Sequence, residues 1–292
     1  MKLSNFFSKE KLYRDADVTL THFANQSIDG IVCFALNENF IAQANKNNAV
    51  KAVITQEQYK DLVDRNKGLV ISENPKKDYY LLHNYMFLNG EMILVKEGYI
   101  DPSAQISPTA IIESNVIIGK NVIIGDYTIV KNQSVVGDNT YIGSHCIIGA
   151  RGLNNTRIDD TFIYVHDAGG VSIGKECEIL DGSIIQKSIH KEMTRIGDIT
   201  KISVKVNIGH GTIIGKRTLV AGNAQIAGYV TIGNDVWIGP SAVIAHNLKI
   251  GDNVEVKLGS VVVKSVKTNR AVSGNFAYDH TQHLKNHIKA QR

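Results

Sequence analysis

Residues 196–262 read IGDITKISVKVNIGHGTIIGKRTLVAGNAQIAGYVTIGNDVWIGPSAVIAHNLKIGDNVEVKLGSVV, and every sixth position from Ile196 to Val262 is Ile or Val. Twelve hits in phase exclude chance at this composition. The same step runs through eight positions from Ile106 to Ile148, and again through Ile173, Ile179 and Ile185. A period of six suits neither the turn of an α-helix nor a plain alternating strand. It suits a coil with short flat sides, each turning one β-branched side chain into a shared core. Three six-residue sides make an 18-residue turn, so the pattern predicts a mainly β protein built on a parallel β-helix of hexapeptide repeats. Gly often follows the anchor (Gly119, Gly125, Gly137, Gly143, Gly209, Gly215, Gly233, Gly251), as a corner with unusual dihedrals would demand. The fourth position after the anchor is small or apolar in most repeats. Cys146 and Cys177 stand there, which makes them small core residues rather than reactive thiols.

The rest of the chain is organised around this coil. A length of 292 residues with 43% hydrophobic and 21% charged side chains excludes a disordered, collagen-like or disulfide-scaffold chain. The three cysteines have no paired spacing, so reduced thiols are expected. No apolar run approaches the ~18 residues of a membrane span. The opening MKLSNFFSKEKLYRD carries charges where a secretory leader would be apolar, which predicts a cytoplasmic protein. A net charge of +4 fits an acidic small molecule or an acidic protein as partner and argues against nucleic acid. Residues 1–100 lack the repeat and read as a small α/β domain. IVCFAL (31–36), KAVITQ (51–56) and LVISENP (69–75) are its strands, and TQEQYKDLVDRN (55–66) and DYYLLHNYMF (78–87) its helices. Residues 101–275 form the β-helix domain, and 276–292 a short basic C-terminal helix. Two interruptions break the count. Ile148 to Ile173 is 25 residues and Ile185 to Ile196 is 11, and loops leaving a rigid solenoid commonly line its binding surface.

His210 and His246 each lie two positions after an anchor and are 36 residues apart, two full coils, so they share one corner of the prism. Lys120, Asp126, Asn132, Asp138, Lys216, Asn234 and Asp252 have the same phase and read as solvated corners. Gly209 and Gly211 flank His210, and Ala221, Gly222, Ala227 and Gly228 follow. Small residues beside a histidine let a slender substrate lie against the backbone. A metal-dependent hydratase would need three converging histidines. Among His145, His190, His210 and His246 there is no close pair, so no metal is expected. His280, His283 and His287 share one face of the tail helix, which reads as a packing or solvated face.

Over roughly residues 101–275 the chain resembles the left-handed β-helix acyltransferases, which assemble as trimers around the helix axes. More narrowly, NIGHGTIIG (207–215), AGNAQIAGYVTIG (221–233) and VIAHNLKIG (243–251) resemble the UDP-3-O-acylglucosamine N-acyltransferases of lipid A biosynthesis. That resemblance implies His210 as general base, His246 as a ligand of the thioester donor and the Gly228 N–H as oxyanion donor. CFALNENF (33–40) is similar to the family's uridine-binding segment, which implies Phe34 and Phe40 around the uracil and Asn37 on its edge. No bound cofactor is implied. The acyl group would arrive on phosphopantetheine, carried by acyl carrier protein or coenzyme A, and pass to the amine of a nucleotide-linked amino sugar. The family's Met-rich acyl-measuring coil is here Lys257–Val261, and the ending GSVVVKSV is similar to amino-sugar N-acyltransferases that use coenzyme A. Carrier protein and coenzyme A therefore both stay open as donors and UDP and dTDP as nucleotides, with a non-catalytic structural β-helix as the alternative to an enzyme. A homotrimer is expected, with Val220, Trp237 and Ile244 on the faces that meet.

Overall fold

The computed structural model describes residues 1–274, 279–281 and 288–289. His283 and His287 lie outside the described residues, and His280 is exposed. From Tyr99 to Val272 the chain winds into a left-handed parallel β-helix with three faces of nine, eight and eight strands among the described residues. The first face runs from Gln105–Ile106 to Ala271–Val272, the second from Ile111–Ile112 to Val261–Val262, and the third from Tyr99–Ile100 to Lys249–Ile250. Each side is a two- to four-residue strand whose inward residue is the Ile or Val anchor. Ile124, Ile208, Ile226 and Ile244 are among the anchors with essentially no exposure. Each is worth about 1.5–3 kcal/mol relative to an exposed side chain.

Thr128, Thr140, Thr200, Thr212 and Thr218 occupy the small inward position and donate their hydroxyls to Gly143, Gly174, Gly215, Ala227 and Gly233 carbonyls at 2.6–3.0 Å. Cys146 and Cys177 take the same place. Their thiols point to the Leu180 and Gly197 carbonyls at 3.3 and 3.2 Å, and burial pushes both above the ordinary thiol range. All three cysteines are free and buried.

The glycines after the anchors do not make the bends. The left-handed corner residue is the third after the anchor, and it is mostly not Gly: Asn121 (φ 52°), Lys205 (φ 56°) and Asn223 (φ 59°) are examples. The following glycines are needed for close approach. A Cβ on Gly215 would stand 2.5 Å from the Gly233 carbonyl carbon of the next coil, and one on Gly209 would meet Ala227 at 2.5 Å. Coils stacked at a strand's spacing leave no room there.

Residues 1–95 form a separate layered unit. Its sheet has the order β1-β5-β4-β3-β2, with β1 (Leu12–Arg14) antiparallel to β5 (Gly68–Ile71) and β2 (Leu20–Thr21), β3 (Ile31–Phe34), β4 (Val50–Thr55) and β5 mutually parallel. Helix α1 (Glu38–Lys46) was not expected from the sequence. Asn37 starts it, its side chain accepting the Phe40 N–H at 3.0 Å. The expected helix over 55–66 is only a 3₁₀ turn, Glu57–Leu62. It has no side-chain cap and buries none of its residues, so packing does not hold it. Helix α2 (Pro75–Leu88) opens on an Asn74 cap with Pro in its first turn and buries Tyr79, Leu82, His83 and Met86.

Two kinds of substitution separate close approach from corner strain. Gly215→Ala should lower the free energy of unfolding by about 1–3 kcal/mol, the usual cost of overpacking. Lys205→Gly, at a left-handed corner, should be neutral or stabilising. Urea denaturation of the two variants beside the parent chain measures both signs.

Candidate functional site

The three corners of the prism carry different chemistry. Past the third face stand Lys120, Asp138, Lys175, Asp198, Lys216, Asn234 and Asp252, one above another. Here four coils are capped by the next. The N–H groups of Lys120, Lys175, Lys216 and Asn234 donate to Asp138, Asp198, Asn234 and Asp252 at 2.7–3.0 Å. Lys175–Asp138 and Lys216–Asp198 are ion pairs at 2.8 Å. Of the residues expected to be plain solvated corners in phase with the histidines, Lys120, Asp138, Lys216, Asn234 and Asp252 belong to this capping ladder at a different corner, Asp126 follows the first face, and Asn132 shares the histidines' corner.

The corner past the second face stacks Lys187, His210, Gly228 and His246. Gly228 has no side chain to cap the coil below it, and neither His210 nor Gly228 donates its N–H to an acceptor among the described residues. Both interruptions leave from this same corner. An uninterrupted passage from second to third face takes six residues, so the 25 from Ile148 to Ile173 contain 19 extra and the 11 from Ile185 to Ile196 contain five. The longer insertion forms a hairpin of Asn155–Ile158 and Thr161–Tyr164, then returns through Val165, His166, Asp167 and Ala168. The shorter one turns inward, so that Ser188 and His190 are buried.

His210 sits where these pieces meet. A Cβ on Gly228 would stand 2.4–2.8 Å from Cε1, Nε2 and Nδ1 of the imidazole, so only glycine leaves the ring its place. Gly152 of the long insertion closes the other side, where a Cβ would be 3.2 Å from Cδ2. Tyr229 stands edge-on to the ring at 5.0 Å. The insertions and Tyr229 half-bury the side chain, and its Nδ1 is buried without a partner. Desolvation lowers the His210 pKa below the ordinary histidine value, against a smaller opposing pull from the Glu192 carboxylate. His246, two coils on, is exposed.

Around His210 lie groups that the repeat did not mark. Lys187, one coil below, is buried and donates to the Asn132 side chain at 2.6 Å. Burial pushes the Asp167 carboxyl up to about 6, and Asn154 donates to it. Glu192 lies 3.3 Å from His22 and accepts from Ser188 at 3.1 Å. Their only signal in the sequence was position: two insertions at one corner, immediately before the coil that carries His210.

The three residues proposed for the base-binding segment are placed apart in role. Phe34, at the end of β3, is half-buried against Tyr79 and Tyr80, with ring centroids 5.0 and 6.4 Å away. Asn37 is the α1 cap, and Phe40 in the first turn of α1 is 52% exposed. No helix of the described residues is long and apolar enough to cross a membrane.

Two family models match parts of the chain: the GMPPB C-terminal domain over residues 94–151, and the bacterial transferase hexapeptide (six repeats) over 229–264. No curated protein sequence matches. Among solved structures, the UDP-N-acetylglucosamine O-acyltransferase of Moraxella catarrhalis is 28% identical over 68% of this chain and 81% of its own, with a TM-score of 0.41. The Arabidopsis UDP-N-acetylglucosamine acyltransferase is 22% identical over 65% and 77%, also at 0.41. PerB of Caulobacter crescentus, solved with CoA and GDP-perosamine, is 13% identical over 77% and 67%, at 0.25. TM-scores this low carry no functional argument. What the comparisons establish is that this chain carries the hexapeptide repeat of bacterial transferases, as its six-residue period and resemblance to such enzymes led one to expect.

Proposed function

We propose that this chain is a cytoplasmic N-acyltransferase that moves an acyl group from a phosphopantetheine thioester to the amine of a nucleotide-linked amino sugar, UDP being the first nucleotide to test. The carrier is acyl carrier protein or coenzyme A. One observation carries the reading: a desolvated imidazole, His210, lies against Gly228, whose N–H has no acceptor among the described residues. A base and an oxyanion donor one coil apart are what aminolysis of a thioester requires. The sugar amine attacks the thioester carbon, and the developing oxyanion accepts the Gly228 N–H. His210 takes the amine proton and returns it to the departing thiolate as the C–S bond breaks. A depressed pKa keeps the ring neutral, and therefore basic, at neutral pH. His246, exposed at the same corner, is assigned to the donor.

The N-terminal unit is assigned the nucleotide, with Phe34, Asn37 and Phe40 at the base. The active assembly is assigned as a homotrimer. Val220 and Ile244 are core anchors and cannot form its faces. The apolar outer patch is instead Leu219 beside Trp237 on the first face, with Leu180 and Ala221 adjacent.

Four measurements test this reading. His210→Ala should lower kcat by about 10²–10⁴, the usual contribution of a general base. The parent enzyme's rate should fall with acid through a group titrating below about 6.5, because burial depresses the pKa of a base that must be neutral. Turnover retained in His210→Ala with both UDP- and dTDP-amino sugars would overturn the assignment. Phe40→Ala should raise KM for the nucleotide sugar about tenfold, since base stacking is worth about 1–3 kcal/mol. Its thermal stability should stay unchanged, whereas Phe34→Ala should lose stability as well. Light scattering should give about three times the 32.1 kDa chain mass, and a monomer at micromolar concentration would remove the trimer.

A further inference from the structure

Between the N-terminal unit and the β-helix lies a group of buried histidines that acyl transfer does not use. His22 follows β2, His83 is on α2 and His190 is in the short insertion; their exposures are 1%, 0% and 2%. Ring centroids lie 4.4 Å apart for His22–His190 and 5.7 Å for His83–His190. We propose that these rings form an acid-labile latch: His83 and His190 hold the N-terminal unit on the β-helix only while neutral, and protonation releases it from the coil that carries His210.

The hydrogen bonds define why. His83 Nε2 lies 2.8 Å from the His166 carbonyl, which can only accept, so that nitrogen carries the proton. Nδ1 then accepts from the Thr21 hydroxyl at 2.5 Å, and a second proton there would reverse that bond and turn the hydroxyl's own proton away from the ring. His190 bonds the Thr21 main chain through one nitrogen, and its Nδ1 is buried without a partner. Phe23, Tyr79 and Tyr229 surround it at 5.0–6.3 Å and supply no countercharge. Burial pushes His83 down to about 4 and His190 well below the ordinary value, and neighbouring histidines add to both.

The charged groups facing the cluster do not relieve this. Glu192 lies 3.3 Å from His22 Nε2 without a hydrogen bond to it and accepts from Ser188, so its charge faces His22 rather than His83 or His190. Asp167, from the return of the long insertion, is bound by Asn154, with Lys187 of the second face and Arg151 acting on it. On α2, Tyr80 is a high-pKa phenol and Lys11 neutralises Asp78. His210 on the coil adds only repulsion to His190. His166 stacks on Phe87 at 4.6 Å, and burial lowers its pKa too, so it acts in the same direction.

The sign follows from linkage. A group depressed in the closed form binds its proton more readily once released, so opening gains as pH falls below about 6.5. Between pH 7.5 and 5.5 each fully buried ring multiplies the opening constant about tenfold, and the two together about a hundredfold. Asp167, held near 6 in the closed form, binds its proton there and offsets this by a few-fold.

Hydrogen exchange on the full chain, corrected for intrinsic rates, reads the latch without reference to activity, so its failure and that of the acyltransferase reading are distinct. The reporters are the crossing amides: His166 N–H to Asn84 at 3.0 Å, and Leu94 and Val95 N–H to Gln133 at 2.7 Å. From pH 7.5 to 5.5 their protection should fall at least tenfold while the coils over 196–256 keep theirs. His83→Gln, which keeps a donor for the His166 carbonyl, and His190→Phe should each make that fall about tenfold smaller. Protection independent of pH in the parent chain overturns the proposal, and that result stands even if a variant fails to fold. A parent-sized fall in both variants overturns it equally, as does a loss shared by coil and interface.

Discussion

Every level of this structure depends on main-chain hydrogen bonds between stacked coils. The Asn207 N–H donates to Ala224 at 3.1 Å, Gly209 to Ile226 at 2.8 Å and Ala227 to Ile244 at 3.0 Å, each to the neighbouring coil. Such bonds hold coils at the separation of paired strands, and at that separation a side chain on the wrong residue cannot fit. Glycine often after the anchor, Ile or Val at the anchor and a small or β-branched residue inside each corner are three consequences of one spacing. A further consequence is the column. Residues one coil apart touch, so a corner is a line of contacts that the chain can make inert or reactive.

The two corners described above show both choices. At the third-face corner, Asp and Asn cap the N–H groups of the coil below, and the Lys ion pairs lie on the surface where such pairs contribute only about 0–1 kcal/mol. Their value is in satisfying the main chain. At the second-face corner the cap is withdrawn: Gly228 follows His210, and neither donates its N–H to an acceptor among the described residues. What sets this position apart is the half-buried imidazole against the glycine, and departures of that kind from local consistency concentrate at functional sites.

The coil was legible in the sequence because its period is short and unbroken over 67 residues, and every repeat states the same spacing. The corner glycines were legible as important and misread as bends. Close approach and positive φ both favour glycine, and only the position of Asn121 or Lys205 tells them apart. Helix α1 escaped because its start overlaps a segment read for its aromatics, although Asn37 is an ordinary cap. His210, Gly228 and His246 could be put in one column by counting. The wall around His210 could not, since Gly152 and Tyr229 reach it through an insertion and a corner conformation that no period encodes. That Val220 and Ile244 are anchors was available from the count itself, and their proposed place on an outer face contradicted it.

The histidines near this corner differ chiefly in how much water reaches them, and that difference separates the roles proposed for them. His190 is sealed, so a proton on it would have neither solvent nor countercharge, and its ring is confined to holding surfaces together. His246 is open, free to meet a ligand but with no wall to orient it. His210 lies between them. Enough of the ring is covered to lower its pKa and fix its plane, while Nδ1 alone is fully enclosed. A proton acceptor needs that intermediate state, because full burial bars the substrate and full exposure gives up both orientation and desolvation. The coil cannot produce it, since a bare corner leaves a side chain in water. The 19-residue and five-residue insertions supply the cover, and they leave from the one corner where a histidine stands opposite a glycine.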